Sequence, residues 1–580
     1  MILQALVNRY EDLLKKGAIS EPGWGKVNVS FRLNLDIDGN VIGFFSLKTP
    51  RQSGKKTVYV PQSLKVPQPV KRSVDVKANF LCDNSTYILG VDEKGKDDRT
   101  RQCFCACKEL HINLLKNVGT EAALAITRYF EKWKPEDAPE NPYLAESWKD
   151  LMAGANILFY YEGKSVIEDP QIRECWQTHY NNSGEGNSGI CMVTGKKAPI
   201  AVLHPTIKGV RGAQAMGTSL VSFNAPAFCS YGKEQGDNAP ISEYAAFAYG
   251  TALNELLNDR EHTKAIGDTT VVCWAEGGDA VYQNAGMAAM FGTDEDSGLT
   301  EQDLSMILSK MQNGESVQIK DEWLNPDRHF YILGLAPNAA RLSVRFFMED
   351  SFGDIMRHIN EHYKRLEIVR PSYDKFPRLP LWKLLSETVN GKTGDKSPSP
   401  QMAADTLKAI LNGGAYPASL LNGVMLRIRA EHKVTRGRAA IIKAYYSRNK
   451  NKDCPEEVYE KMELNEECRD VPYTLGRLFA VLEHLQQEAN PGINATIKDK
   501  YFNAAAATPA NVFPVLINIA QKHLRKLKEG SKIYFNKKIG ELSEIIGTEY
   551  PMRLNMPQQG SFQLGYYYQT QRHYQKKEEN

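Results

Sequence analysis

HFYILGLAPNAARLSVRFF, residues His329 to Phe347, reads as two strands joined by a turn at Pro337-Asn338. Past the turn, Leu342, Val344 and Phe346 alternate with Arg341, Ser343 and Arg345, the period of a strand with one buried face. The pattern changes soon after it. From Phe352 onward apolar residues recur at helical spacing, with helices predicted at 402–412, 417–431, 436–449, 473–489, 498–507, 510–528 and 537–546. A Gly-, Ser- and Pro-rich insert at 388–401 reads as a linker or exposed loop. The tail SFQLGYYYQTQRHYQKKEEN is expected to be partly ordered at its tyrosines and frayed at its end. Upstream of His329 the two periods are interleaved. Residues 2–16 read as a helix, strands run from Val27 with a hairpin at Asp38-Gly39, and 104–134 is helical. The strand NILFYYEG follows, then a Ser242-capped helix to Asn258 and the buried strand DTTVVCWAE. The fold class that follows is α+β: a mixed N-terminal body of sheets and helices, then an all-α C-terminal helical bundle. Three parts are expected, at 1–350, 351–461 and 462–580.

The totals narrow the function classes little. The chain has 580 residues, 42% hydrophobic and 24% charged, with a net charge of +3, an ordinary globular balance. No apolar run is long enough to span a bilayer, and MILQALVNRYEDLLKKG is an amphipathic helix rather than a leader. Ten cysteines without framework spacing suggest reduced thiols and a cytoplasmic setting.

The charge is segregated, however. Residues 51–79 hold seven Lys/Arg, among them Lys55, Lys56, Lys71 and Arg72, against the single acid Asp75, in what reads as an extended, proline-punctuated loop. Arg427 to Lys452 holds nine cations, including Arg427, Arg429, Arg436, Arg438 and Lys443, against Glu431. Lys522 to Lys538 holds seven, including Lys522, Arg525 and Lys526, against Glu529. Three such clusters in a nearly neutral chain are the footprint of a polyanion partner, with these side chains as candidate contacts to a phosphate backbone. A fourth stretch, HPTIKGVRGAQAMGTSLVSFNAPAFCSYGKEQG (204–236), sets Lys208 and Arg211 among Gly209, Gly212 and Gly217 and follows them with Gln214, Ser219 and Asn224. It is a poor helix and an irregular strand, so it reads either as an anion-binding loop or as a long surface loop with turn glycines.

Catalytic motifs do not emerge. There is no Gly-x-x-x-x-Gly-Lys-Ser/Thr loop, no Gly-x-Ser-x-Gly elbow and no His-Glu-x-x-His. Glu276 and Asp279 in WAEGGD read as turn or capping residues rather than a two-metal site. CFCAC at 103–107, with His111 nearby, would place three thiols on one side of an extended strand, but it lacks the Cys-x-x-Cys knuckles of a zinc site. No metal, cofactor or enzymatic activity is expected.

Six ordered segments carry a family resemblance: MILQALVNRYE, KANFLCDNSTYILG, CMVTGKKAPIAVLHPTIKGVRG, TSLVSFNAPAFCSYGKEQGDNAPISEYAAFAYGTALN, FYILGLAPNAARLSVRFF and YTLGRLFAVLEHLQQEANPGINATIKDKYFNAAAATPANVFPVL. Together they resemble the large subunit of the type I-C CRISPR surveillance complex (Cascade), over residues 1 to about 555. The resemblance implies a non-catalytic subunit that recognises a short motif (the PAM) in double-stranded DNA and promotes strand separation and R-loop formation. It further implies steadying of the non-target strand and recruitment of a helicase–nuclease acting in trans. The implied partners are target duplex, guide RNA held through the complex, and handle-binding, backbone and small subunits, with no membrane. Lys77, Asn79, Lys208, Arg211, Gln214, Ser219 and Asn224 fall in the matching segments, and their chemistry suits motif reading: amides bond base edges and cations hold phosphates. The C-terminal helices resemble a small-subunit-like bundle, and Met462 is placed where an internal translation start would release one. A metal-dependent nuclease with an unrecognised site and a generic guide-RNA-binding scaffold are the alternatives.

Overall fold

The computed structural model describes residues 1–578 apart from 20, 54–55, 71, 73–75, 94–96, 183–186, 260–262, 278, 294–297, 320 and 391–396. Its chain divides into two compact units. The first comprises 1–205 and 221–252, the second 206–220 and 253–580. The expected boundaries at 350/351 and 461/462 both fall inside the second unit. α+β is the class observed, with sheets and helices mixed toward the N-terminus and, among the described residues, helices and no further strand after Ser351.

In the first unit the helix Ile2–Lys15 buries Leu6, Val7, Tyr10 and Leu13, and the Tyr10 ring stands edge-on to Phe247 at 5.7 Å. A five-stranded sheet runs in the order Val41–Ser46, Phe31–Leu35, Asn156–Tyr161, Cys82–Asn84, with Lys164–Ser165 pairing Asn156–Tyr161. Phe31–Leu35 and Asn156–Tyr161 are parallel neighbours. The turn between the first two strands is closed by the Asp36 carboxylate accepting from the Asn40 N–H at 2.8 Å, with Gly39 at φ 78°. Phe31, Leu33 and Leu35 enter the core from one face, where Phe159 meets Tyr129 and Phe130 of the helix Glu121–Lys132.

Two expectations for this unit are corrected. Residues 51–79 are not one extended loop. Thr49–Ser53 and Lys56–Val60 form a hairpin, and Gln62–Pro67 pairs antiparallel with Trp24–Val29. The β-branched Thr57, Val58, Val60 and Val66 favour the ladder, while Pro61 and Pro67 stand at strand ends where a missing N–H is tolerated. Phe80–Gly90, whose residues read as a strand with a turn at Asp83-Asn84, is extended only at Cys82–Asn84, because the Asn84 side chain caps a helical turn at Ser85–Ile88. Cys103, Cys105 and Cys107 lie in the helix Asp97–Leu115, so Cys103 and Cys107 share a buried face and Cys105 points to solvent. His111 is occupied: Nδ1–H donates to the Cys107 carbonyl at 2.8 Å, and Nε2 accepts from the Leu81 N–H at 2.9 Å. Burial pushes its pKa down to about 4.

The second unit is built on a six-stranded sheet, ordered Thr206–Ile207, Thr218–Ser219, Arg341–Ser351, His329–Asn338, Thr269–Ala275, Thr263–Ile266. All of Thr269–Ala275 is buried. The His329–Ser351 hairpin carries an irregularity: Gly334 faces Phe346 but Leu335 faces Val344. The extra residue, Arg345, puts Val344 and Phe346 on opposite faces, contrary to the simple alternation. Accordingly Val344 is 40% exposed while Phe346 is buried against Gly334, where any Cβ would meet the ring at 2.5 Å.

One hydrophobic core runs from Ile266 to Tyr568, through the sheet and the C-terminal helices. The tail is ordered at its tyrosines, as expected, within a longer helix, and its last two residues lie outside the described residues. Met556–Glu578 is a 23-residue helix, and Phe562, Leu564, Tyr566, Tyr567 and Tyr568 are all buried. It crosses the helix Val471–Ala489 with almost no separation. A Cβ on Gly476 would lie 2.0 Å from the Phe562 carbonyl oxygen, and one on Gly565 would lie 2.0 Å from that of Tyr473. No helix among the described residues is long and apolar enough to cross a membrane.

A candidate nucleic-acid interface

Residues 208–217 form the loop between the paired strands Thr206–Ile207 and Thr218–Ser219, at the edge of the second unit's sheet. Its backbone is tied down at several points. The Asn254 side chain accepts from the Lys208 N–H at 2.8 Å and donates to the Thr206 carbonyl at 3.0 Å, clamping both sides of the loop's first turn. The Arg211 N–H donates to the Thr270 hydroxyl at 3.0 Å, Gly217 N–H to the Gln214 carbonyl at 2.8 Å, and Ser219 N–H to the Ala340 carbonyl at 3.1 Å. Val210 is buried and acts as the loop's one apolar anchor.

Gly217 explains why the loop can close. Its φ is 93°, and an added Cβ would meet Thr206 Cγ2 at 2.3 Å and the Ile207 carbonyl at 2.8 Å. The glycines therefore serve close packing of the loop on its own unit. The amide N–H groups of Lys208, Arg211, Ala213 and Gly217 are bonded within the unit, which leaves the loop's outward chemistry chiefly to its side chains.

Those side chains face outward. Lys208, Arg211 and Gln214 are exposed, and none makes a side-chain hydrogen bond or ion pair among the described residues. Met216 sits beside them at 86% exposure. Sequence reasoning passed over Met216; the signal was its place in a stretch so poor in apolar neighbours. A bonded backbone carrying two unneutralised cations, an amide and a thioether suits a grooved polyanion: cations for phosphates, amide for a base edge, apolar tip for a base step. Ser219 is half-buried in its short strand, and Asn224 is exposed but belongs to the first unit.

The other candidates divide sharply. Lys77 is exposed. Asn79 is half-buried, and its side-chain oxygen accepts from the Val70 N–H at 2.9 Å, leaving only the amide nitrogen for a ligand. Arg72 is corrected from phosphate contact to structural residue. It grips the buried Asp83 carboxylate with both terminal nitrogens, Nη1 to Oδ1 at 2.9 Å, and lies over the Tyr87 ring at 3.9 Å. Burial pushes the Asp83 carboxyl up in pKa, and the Arg72 guanidinium opposes that shift. Lys55 and Lys71 lie outside the described residues, as does the side chain of Lys56.

Arg436, Arg438 and Lys443 are corrected likewise. All three are buried. Arg436 pairs Asp374 at 3.1 Å and donates to the Phe376 and Pro377 carbonyls. Arg438 pairs Glu431 at 2.6 Å and Glu387 at 3.3 Å, and burial lowers the pKa of Lys443. Helical spacing placed these cations on the face turned into the core, where buried charges persist only with partners. Arg427 is half-buried against Glu431 at 3.1 Å, and Arg429 is exposed but bonded to Gln559 at 2.8 Å. Lys522, Arg525 and Lys526 are exposed at the end of Pro509–Leu524; Lys526 reaches the Asn490 side chain at 2.8 Å.

A family model described as CRISPR-associated protein (Cas_Csd1) matches residues 6–574. No curated protein matches the chain.

Proposed function

The chain belongs to the Cas_Csd1 family of CRISPR-associated proteins, and we propose that, as the large subunit of a type I-C complex, it reads the motif adjacent to the target in duplex DNA. The observation that carries this is the loop 208–217, whose backbone is bonded to its own unit while Lys208, Arg211 and Gln214 are left unengaged. Membership of the family means that the chain works with other CRISPR-associated subunits. Sequence choice along the target belongs to guide RNA pairing, and the protein reads a short duplex element beside it. On this reading Lys208 and Arg211 hold the phosphates of one groove wall. Gln214 bonds a base edge, and Met216 presses on a base step to start strand separation. Lys522, Arg525 and Lys526 then follow the displaced strand. The chain acts by binding, without chemistry of its own, and a helicase–nuclease is recruited to the opened loop.

Replacing Gln214 by alanine in the assembled complex is the test. Binding to a motif-bearing duplex is expected to fall by about tenfold, the scale of one good base contact, with binding to a motif-free duplex unchanged. Equal losses on both duplexes would remove Gln214 from base reading. Metal-dependent cleavage of DNA by the isolated chain would favour the nuclease alternative, and guide-RNA binding without the other subunits the scaffold alternative.

An internal start at Met462 is a further part of the proposal. The two glycine-crossed helices Val471–Ala489 and Met556–Glu578 both lie downstream of it, so the released piece keeps their mutual packing. It loses the contacts of Gly560 with Ile442 and Tyr446 and the bond from the Tyr567 hydroxyl to the Val369 carbonyl. Intact-mass measurement of complex expressed from this gene should show a species beginning at Met462; its persistence after Met462→Leu with the upstream initiation signal erased would refute the start.

A further inference from the structure

The first unit's five-stranded sheet has a second face that is covered at Leu158 and Cys82 but leaves Phe45 exposed at its other side. On Phe31–Leu35 the residues Phe31, Leu33 and Leu35 are buried, so Arg32 and Asn34 point the other way. Arg32 stands opposite Phe45 on the neighbouring strand. Its guanidinium carbon is 4.8 Å from the Phe45 ring centre and 5.4 Å from that of Tyr160, on the strand beyond. The three side chains thus make a row, ring–cation–ring, across three adjacent strands.

The row is held flat. Gly43 precedes Phe45 by two positions on the same strand, and a Cβ there would meet the Phe45 ring at 2.5 Å. The ring therefore lies down over bare backbone, and Phe45 remains 46% exposed. Arg32 has no hydrogen-bond or ion-pair partner among the described residues. The other outward residues at this end are neutral: Asn34, whose side-chain oxygen accepts from Gly163 N–H at 2.9 Å, and Gly43. A half-buried guanidinium without an ion-pair partner among the described residues, between the exposed ring of Phe45 and the half-buried ring of Tyr160, matches the two needs of an unpaired strand, a platform for bases and a fork for phosphate.

We propose that this row binds single-stranded nucleic acid, with bases stacking on Phe45 and Tyr160 and a backbone phosphate held by Arg32. The site is separate from the duplex-reading loop in both residues and ligand, and does not depend on that reading.

The test uses the full-length chain and fluorescently labelled oligothymidylate DNA and oligouridylate RNA of about 12 nucleotides, within the usual range for such platforms. Phe45→Leu and Tyr160→Leu keep the apolar bulk and remove the rings. Each is expected to weaken binding of at least one oligomer about tenfold, the scale of one lost stacking contact. Arg32→Lys keeps the charge without the planar fork and is expected to weaken it severalfold, with the circular dichroism spectrum unchanged in all three. The oligomer bound more tightly identifies the natural strand as DNA or RNA. Unchanged affinity of the ring variants for both oligomers would overturn the proposal, as would unchanged affinity combined with failure to assemble with the other subunits, which would make the row a protein contact. Duplex motif discrimination, measured in parallel, reports on the loop alone.

Discussion

Replacing Lys208 and Arg211 together by alanine is expected to weaken duplex binding by the assembled complex about 100-fold or more near physiological salt. Each side chain projects from a loop whose backbone is bonded elsewhere, and neither is neutralised within the described residues. A charge-assisted hydrogen bond contributes about 1.5–3 kcal/mol, and about 1.4 kcal/mol is a factor of ten. The same substitution should lower the slope of log affinity against log salt by about 1.8, since each phosphate contact releases roughly 0.9 counterion. Because this term carries no sequence information, motif-bearing and motif-free duplexes should suffer alike, in contrast to Gln214→Ala. Titration of both duplexes at several salt concentrations measures all of this. An unchanged slope would show that the two cations do not touch DNA.

Gly476→Ala is expected to rank with Gly565→Ala as the most destabilising single methyl that can be added to the C-terminal helices. In an exposed helix the same change stabilises, by up to about 1 kcal/mol. Here the new Cβ would sit 2.0 Å from the Phe562 carbonyl oxygen and 2.8 Å from the Tyr566 amide nitrogen, both backbone atoms that no rotamer change can move aside. The helices would have to part, opening the packing around Phe479, Phe502 and Phe562. Overpacking costs about 1–3 kcal/mol where side chains can yield, and this backbone clash should reach or exceed the top of that range. Gly540→Ala is the control: it lies in Glu529–Ile546 with nothing within 4 Å of the added carbon, and it should leave stability level or slightly raised. Urea unfolding of the two variants side by side gives the comparison; equal midpoints would refute the close crossing.

Elements with strong period were legible in the sequence. The Ser242-capped helix and the buried strand before Glu276 stand where apolar spacing puts them; the hairpin does too, but its turn is corrected from Pro337-Asn338, which pair with Leu342 and Arg341 inside the ladder, to Ala339-Ala340, and its second strand runs on to Ser351. What escaped depends on neighbours distant in sequence. The tyrosine-rich tail was legible as ordered at its tyrosines but not as one long helix, because Gln, Thr and Tyr carry little helical signal; Gly565 lets it seat against Tyr473 and bury its rings. The bulge at Arg345 is set by Phe346 lying over Gly334, a pairing no local window contains. For the site, the identities of Lys208, Arg211 and Gln214 were readable, but Met216 was not singled out. The basic run 427–452 misled because charge density says nothing of direction: Arg436 and Arg438 point inward to Asp374, Glu387 and Glu431. Arg72 misled for the same reason, its carboxylate partner lying eleven residues away.

The way the loop 208–217 is pinned also bears on how such a protein changes over time. Asn254 and Thr270 hold the backbone, and Gly217 and Val210 seat it, so the fold draws nothing from the side chains at 208, 211, 214 and 216. Those four positions can be exchanged without a stability penalty to constrain them. On the proposed reading the loop is a cassette: the letters that meet an adjacent motif can be rewritten while the frame that displays them stays in place.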